Sequence, residues 1–152
     1  MAINLEQVTD ALGSHLLGSI SHLGSQGTVW LSDDETTLNA GFSKQTSGYG
    51  IMMLNPGVEP EPIMGRLRRQ LFEVELRLLR KKGGSLMTRL RGSGTDKGIY
   101  EFAADVETVL LHNRLGTLLD PFPGVSVDGF EFDDSQADVV VARTIFRGRL
   151  TG

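Results

Sequence analysis

The sequence predicts an α+β fold: a mixed, largely antiparallel sheet packed by two main helices, with a projecting hairpin. Three features predict it. Two segments, LEQVTDALGSHLL and GIYEFAADVETVLLHNRLG, carry apolar residues at helical spacing, and LFEVELRLLR alternates apolar and charged residues with period two. The elements run helix, strands, long strand, helix, hairpin, without the regular β–α alternation of a parallel wind. With 152 residues, 39% of them hydrophobic, the chain reads as one domain, residues 1–152, able to bury a core.

In the first helix Leu5, Val8, Leu12, Leu16 and Ile20 share one face. Asn4 is the expected N-cap, with Gln7 returning the hydrogen bond, and Gly13 and Gly18 place the end near Leu17 or shortly after. TVWLS, TLNAGFS and GYGIMML then read as strands, with turns at Ser32–Glu35 and around Ser47-Gly48. Asn55-Pro56-Gly57 is expected to close this region, and Pro60 and Pro62 keep VEPEPI extended and away from a sheet centre.

Phe72, Val74, Leu76 and Leu78 define the strongest strand. The basic turn Lys81-Lys82-Gly83-Gly84 follows, and SLMTRLR is expected to return beside that strand as the projecting hairpin. The second helix carries Ile99, Phe102, Val106, Val109, Leu110 and Asn113 on one stripe, with Thr95 or Asp96 as cap and Gly116 as stop. VSVDGFEF changes apolar phase at Gly129, which predicts a β-bulge. The turn Asp133–Gln136 leads into the returning strand VVVARTIFRGRL. Internal repeats and low-complexity tracts are absent from the sequence.

The net charge of −4 conceals a strong segregation. Nine of the fifteen basic residues lie between Arg66 and Arg91 with only Glu73 and Glu75 among them, so this stretch carries +7 and the other 126 residues carry −11. Such asymmetry suits head-to-tail contact between subunits or docking of a charged partner. On an isolated monomer the same stretch reads simply as a solvated strand and turn. Arg80, Lys81, Lys82, Arg89 and Arg91 are the candidate interface residues.

Reactive chemistry finds little support. There is no cysteine, which excludes disulfide scaffolds and thiol chemistry. The start MAINLEQVTDALG lacks the basic and apolar regions of a secretory signal, and no run of 18 apolar residues occurs, so a soluble protein of the cell interior or a virion is expected. His15 and His22 could form a metal pair, but no third ligand accompanies them, and a surface role is preferred. Asp133, Asp134 and Asp138 fall where a hairpin must turn and lack the bidentate Glu of a calcium loop. Gly92–Gly98 at a helix start could bind phosphate, yet its spacing matches neither a Walker loop nor a dinucleotide fingerprint. Glu73 and Glu75 read as partners in cross-strand charge pairing with Arg77. The expectation is therefore no enzyme, no cofactor and no metal, and the basic stretch lacks the interleaved aromatics of nucleic-acid recognition.

In order, the helix LEQVTDALGSHLL, the Pro-containing approach, the strand FEVELRLL, the helix GIYEFAADVETVLLHNRLG and the hairpin VSVDGFEFDDSQADVVVARTIFRGRL resemble one family: the tail terminator, or tail-completion, proteins of long-tailed bacteriophages and contractile injection systems. The resemblance implies a homo-oligomeric ring, commonly of six subunits, that caps the finished tail tube and presents a surface to the head connector. The partners it implies are the tail tube protein, the sheath where there is one, and the neck, with DNA only as passing cargo and no membrane. The implied location is the virion neck, and the host cytoplasm during assembly. Two alternatives accompany it: a head-completion, neck or tail tube protein, and, in another class, a small phosphate-binding enzyme using Gly92–Gly98.

Overall fold

The segment with the clearest alternation occupies the middle of the sheet. In the computed structural model, which describes residues 5–20, 27–32, 49–62, 68–81, 90–93, 96–111, 119, 125–133 and 139–150, this segment is strand β3 (Arg68–Lys81). Before it come helix α1 (Leu5–Ser19) and strands β1 (Gly27–Ser32) and β2 (Tyr49–Pro62). After it come the two-residue strands β4 (Gly92–Ser93) and β5 (Asp96–Lys97), helix α2 (Ile99–Leu111), and strands β6 (Ser126–Val127), β7 (Glu131–Asp133) and β8 (Val139–Arg149). The main sheet has the order β1-β2-β3-β8-β6, with β7 also on β8, and β4 and β5 form a separate pair. Only β1 and β2 run parallel; β2–β3, β3–β8, β8–β6 and β8–β7 are antiparallel. This is the α+β architecture expected from the sequence.

Both helices lie on one face of the sheet. Val8, Leu12, Leu16 and Ile20 of α1 and its exit, and Ile99, Phe102, Ala103, Val106 and Leu110 of α2, join Ile51, Met53, Phe72, Val74, Leu76, Leu78, Val140, Ala142 and Phe146 in one buried cluster. The period-two residues of β3 thus meet the period-3.6 faces of both helices. Edge-to-face aromatic contacts link Tyr49 to Phe102 (5.5 Å) and Phe72 to Phe146 (6.4 Å). On the opposite face Met52, Leu54, Leu79, Val139 and Val141 form a second buried cluster.

Two bulges adjust the register. Leu54 pairs with Glu75 and Gly57 with Glu73, so Asn55 and Pro56 oppose a single residue, and Asn55 adopts φ 50°. The expected close at Asn55-Pro56-Gly57 is therefore a bulge through which β2 continues. Asn tolerates the left-handed region better than most residues, so the kink does not end the ladder. Beyond it β2 still pairs with β3, whereas β1 covers only Tyr49–Leu54, so among the described strands the Pro-containing half is an edge, as expected. The Leu150 amide donates to the Gln70 carbonyl (2.9 Å), so the polar groups of Gln70 point toward β8. Its partner Pro60 is thereby in a non-hydrogen-bonded pair, and the N–H that proline lacks would have faced the open edge.

The second bulge is the one expected at Gly129. Val127 pairs with Phe146 and Glu131 with Arg143, so residues 128–130 face only Thr144 and Ile145. The Asp128 amide donates to the Ile145 carbonyl (3.0 Å), and the Thr144 hydroxyl donates to the Asp128 carbonyl (2.6 Å), which anchors the extra residue.

Two expectations are corrected. β3 is paired with β2 on one edge and β8 on the other, so SLMTRLR does not return beside it; Leu90 and Arg91 are helical, and residues 82–89 of the projecting hairpin lie outside the described residues. The second helix is not capped by Asp96, which pairs with Ser93 in the β4–β5 ladder, and Thr95 lies outside the described residues. The Phe102 amide instead donates to the Gly98 carbonyl (3.0 Å), which makes Gly98 the residue at the cap. TLNAGFS, Asn4 and Gly116 also lie outside the described residues.

Phe102 is fully buried, so Phe102→Ala should cost about 3–5 kcal/mol in urea unfolding, a typical loss for a large core side chain. A loss under about 1 kcal/mol would mean that this helix face does not carry the core. At Gly98 a Cβ would stand 2.4 Å from the Gly92 nitrogen and the Leu90 oxygen, both backbone atoms. Gly98→Ala should therefore destabilise by about 1–3 kcal/mol through overpacking, read in the same assay.

Candidate subunit interface

The five basic candidates have different fates. Arg80 is buried, and its guanidinium carbon sits over the Tyr49 ring at 5.4 Å, so this cation is held inside its own subunit. The cross-strand register produces the contact, because Tyr49 and Arg80 are direct partners on the helix side of the β2–β3 ladder. Lys81 closes β3 opposite Val139. Arg91 is exposed, and Lys82 and Arg89 lie outside the described residues. Burial of Arg80 removes it from the set of exposed cations; of the described candidates, Arg91 is the one shown on the surface.

On the sheet face opposite the helices, one end is apolar and the remainder is charged. Glu73 faces Arg147 across the β3–β8 ladder, and Arg77 faces Arg143. Arg147 Nε donates to Glu73 Oε2 (2.8 Å) and its Nη1 to Asp128 Oδ1 (2.7 Å), joining β3, β8 and the Gly129 bulge. Arg77 Nε donates to Glu75 Oε2 (2.7 Å), two residues away on the same side of the strand. The cross-strand pairing expected of the two glutamates thus holds for Glu73, with Arg147 as its partner, while Glu75 pairs along the strand with Arg77. The hydrogen bond to Glu73, then that to Asp128, raises the Arg147 pKa further above its ordinary value. A cation with a raised folded-state pKa contributes its stability in full below the unfolded pKa and loses it only as pH climbs through the folded one. This contribution is therefore constant through neutral pH and is lost only in strong alkali.

Arg143 is less well served. Its Nη2 lies 3.5 Å from Asp133 Oδ2, while its Nε is buried without a hydrogen-bond partner. It borders a shallow cavity of about 190 Å³, lined also by Glu75, Asp128, Gly129, Glu131, Thr144 and Ile145. Next to this cavity, the edge strand β7 presents Phe132 in edge-to-face contact with Tyr100 at the start of α2, with ring centroids 4.8 Å apart. Phe130 follows at 6.3 Å from Phe132. Tyr100 and Phe132 are each 44% exposed, unusual for two large rings in contact. Sequence reasoning did not single out this aromatic edge. Its signal was present in the phase change at Gly129, which sets Phe130 and Phe132 two apart on one strand.

The described residues among those considered for chemistry have structural accounts. His15 Nε2 donates to the Val109 carbonyl (3.4 Å) and its Nδ1 accepts from the Ser19 hydroxyl (3.2 Å), so the ring joins the two helices; His22 lies outside the described residues. Within Gly92–Gly98, Gly92–Ser93 pairs antiparallel with Asp96–Lys97, with Gly92 at φ 86° opposite Lys97; Gly94 and Thr95 lie outside the described residues. Asp133 ends β7, while Asp134 and Asp138 lie outside the described residues. Among the described residues, no group of three His, Asp or Glu side chains could hold a metal ion, and no helix is long and apolar enough to cross a membrane. No family model matches this chain, and no curated protein matches it.

The Glu73–Arg147 pair is partly exposed on both sides, so a double-mutant cycle with Glu73→Gln and Arg147→Gln should return a coupling of about 0.2–1 kcal/mol. That coupling should shrink in high salt, since screening acts on exposed charges. A coupling that is absent at low salt would show that the ladder is held by its backbone pairing alone.

Proposed function

We propose that this chain is the repeating subunit of a ring that completes a bacteriophage tail, capping the tail tube and joining it to the head connector. The observation that carries this reading is the charge segregation: +7 within 26 residues against −11 in the remainder. Like charges gathered this densely repel on a free monomer, and an acidic surface on the next subunit relieves that repulsion. A heterologous contact of this kind closes into a ring when its rotation permits. The α+β architecture, with an N-terminal helix and a second helix packed on one face of a largely antiparallel sheet, agrees with the element order of the resembled family. In this reading the protein acts by occlusion and adaptor binding, without a catalytic step. DNA passes through the ring as cargo, and the subunits assemble in the host cytoplasm before joining the virion neck.

Electron micrographs of the purified protein, with sedimentation, test the reading directly. Discrete rings that bind isolated tail tubes are expected. Lys81→Glu with Lys82→Glu should weaken ring formation or tube binding while leaving the thermal melt of the subunit unchanged, and raised salt should weaken the wild-type contact by screening over roughly 8–10 Å. A ring population and tube binding unchanged by the double reversal would remove these two lysines from the interface.

A further inference from the structure

Asp128-Gly129 is the only Asp-Gly pair in the sequence, and no Asn-Gly pair occurs. It stands in the bulge between β6 and β7, where residues 128–130 face only Thr144 and Ile145. Neither backbone nor space requires a glycine there. The φ of Gly129 lies outside the left-handed region, and a Cβ built on it would meet nothing within 4 Å. The missing side chain instead leaves an unshielded backbone nitrogen next to the Asp128 carboxyl group, whose side chain is 44% exposed to water. This is the arrangement in which an aspartate can cyclise onto its own backbone.

We propose that Asp128-Gly129 is a site of spontaneous isoaspartate formation, and that Arg147 holds it closed in the folded chain. The Gly129 nitrogen bonds to Asp128 Cγ and gives up its proton, while one oxygen of the protonated carboxyl group leaves as water. Water then opens the resulting succinimide. Attack at the former Cγ restores aspartate; attack at the former backbone carbonyl gives isoaspartate, with the chain running through Cβ and Cγ. Three contacts oppose ring closure. The Asp128 amide donates to the Ile145 carbonyl (3.0 Å), the Thr144 hydroxyl donates to the Asp128 carbonyl (2.6 Å), and Arg147 Nη1 donates to Asp128 Oδ1 (2.7 Å). The last is decisive, because a carboxylate bridged to a guanidinium must surrender a charge-assisted hydrogen bond before an oxygen can leave. Isoaspartate exchanges the two groups that secure the bulge. The carbonyl that accepts from Thr144 becomes a free carboxylate, and the carboxyl group that meets Arg147 becomes the peptide carbonyl. One added methylene then lengthens the backbone between β6 and β7. The site lies within one subunit and is independent of the ring reading.

Full-length wild type and the variants Arg147→Gln, Glu73→Gln and Gly129→Ala test it during long incubation near neutral pH. Thermal melts report folding, isoaspartyl methyltransferase labelling reports total isoaspartate, and peptide mass spectrometry locates it and detects the succinimide by its loss of water. Arg147→Gln should accumulate isoaspartate at position 128 severalfold faster than wild type. Glu73→Gln removes the other bridge of the same arginine and leaves the one to Asp128, so its rate should match wild type. Gly129→Ala should fold, since its methyl group meets open space, and should react most slowly because that methyl group shields the nitrogen. Wild type unfolded in urea should react faster than the folded chain. Equal rates in folded and unfolded wild type, or no gain in Arg147→Gln, would overturn the proposal. An equal gain in Glu73→Gln would overturn it too, since the rate would then follow general loosening of the ladder.

Discussion

Strand β3 is hydrogen-bonded along both edges, and that double pairing constrains the rest of the molecule. Its even-numbered residues Phe72, Val74, Leu76 and Leu78 carry the helix-side core, and its odd-numbered residues Glu73, Glu75 and Arg77 stand on the opposite face. A slip of one residue against either neighbour would drive three charges beneath the helices. The apolar alternation thus locks the β2 and β8 registers together, and the registers in turn decide which charges meet. Glu73 opposite Arg147 is a consequence of Val74 opposite Phe146.

The two bulges solve separate problems on this frame. At Asn55-Pro56 the bulge restores phase after the apolar run Ile51–Leu54, so that Val58 packs against the helix-side core once β1 no longer covers the strand. At Gly129 the extra residue is secured by Thr144 and Arg147 through opposite ends of Asp128, carbonyl and carboxylate. The same bulge sets Phe130 and Phe132 along the rim near α2, where Tyr100 meets Phe132. A device that shifts backbone phase has therefore also brought the exposed Phe132 ring against Tyr100.

Charge is distributed with similar economy. On the sheet face opposite the helices Arg77 and Arg147 are neutralised through short bridges, and Arg80 is absorbed by Tyr49. The basic character that remains for a partner is concentrated where β3 ends and in the segment that follows. The ring we propose uses that residue of charge and asks nothing of the histidine, glycine or aspartate clusters that a catalytic reading would need. Among their described members, His15 joins the two helices, Gly98 sits at the cap of α2, and Asp133 ends β7.

Local periodicity in the sequence determined the two helices with their buried faces, the central long strand, the returning strand and the bulge at Gly129. These depend on where apolar side chains fall along a helix or strand, which is written in the spacing itself. Tertiary structure decided which strands became neighbours. It placed β8, not SLMTRLR, beside β3; it carried β2 through Asn55 as a bulge; and it moved the cap of α2 to Gly98, where no side chain advertises the role. It also took Arg80 inside and paired Tyr100 with Phe132, residues 32 positions apart in the chain. Strand partners and surface contacts are fixed by long-range packing free energy, which no local window of residues contains.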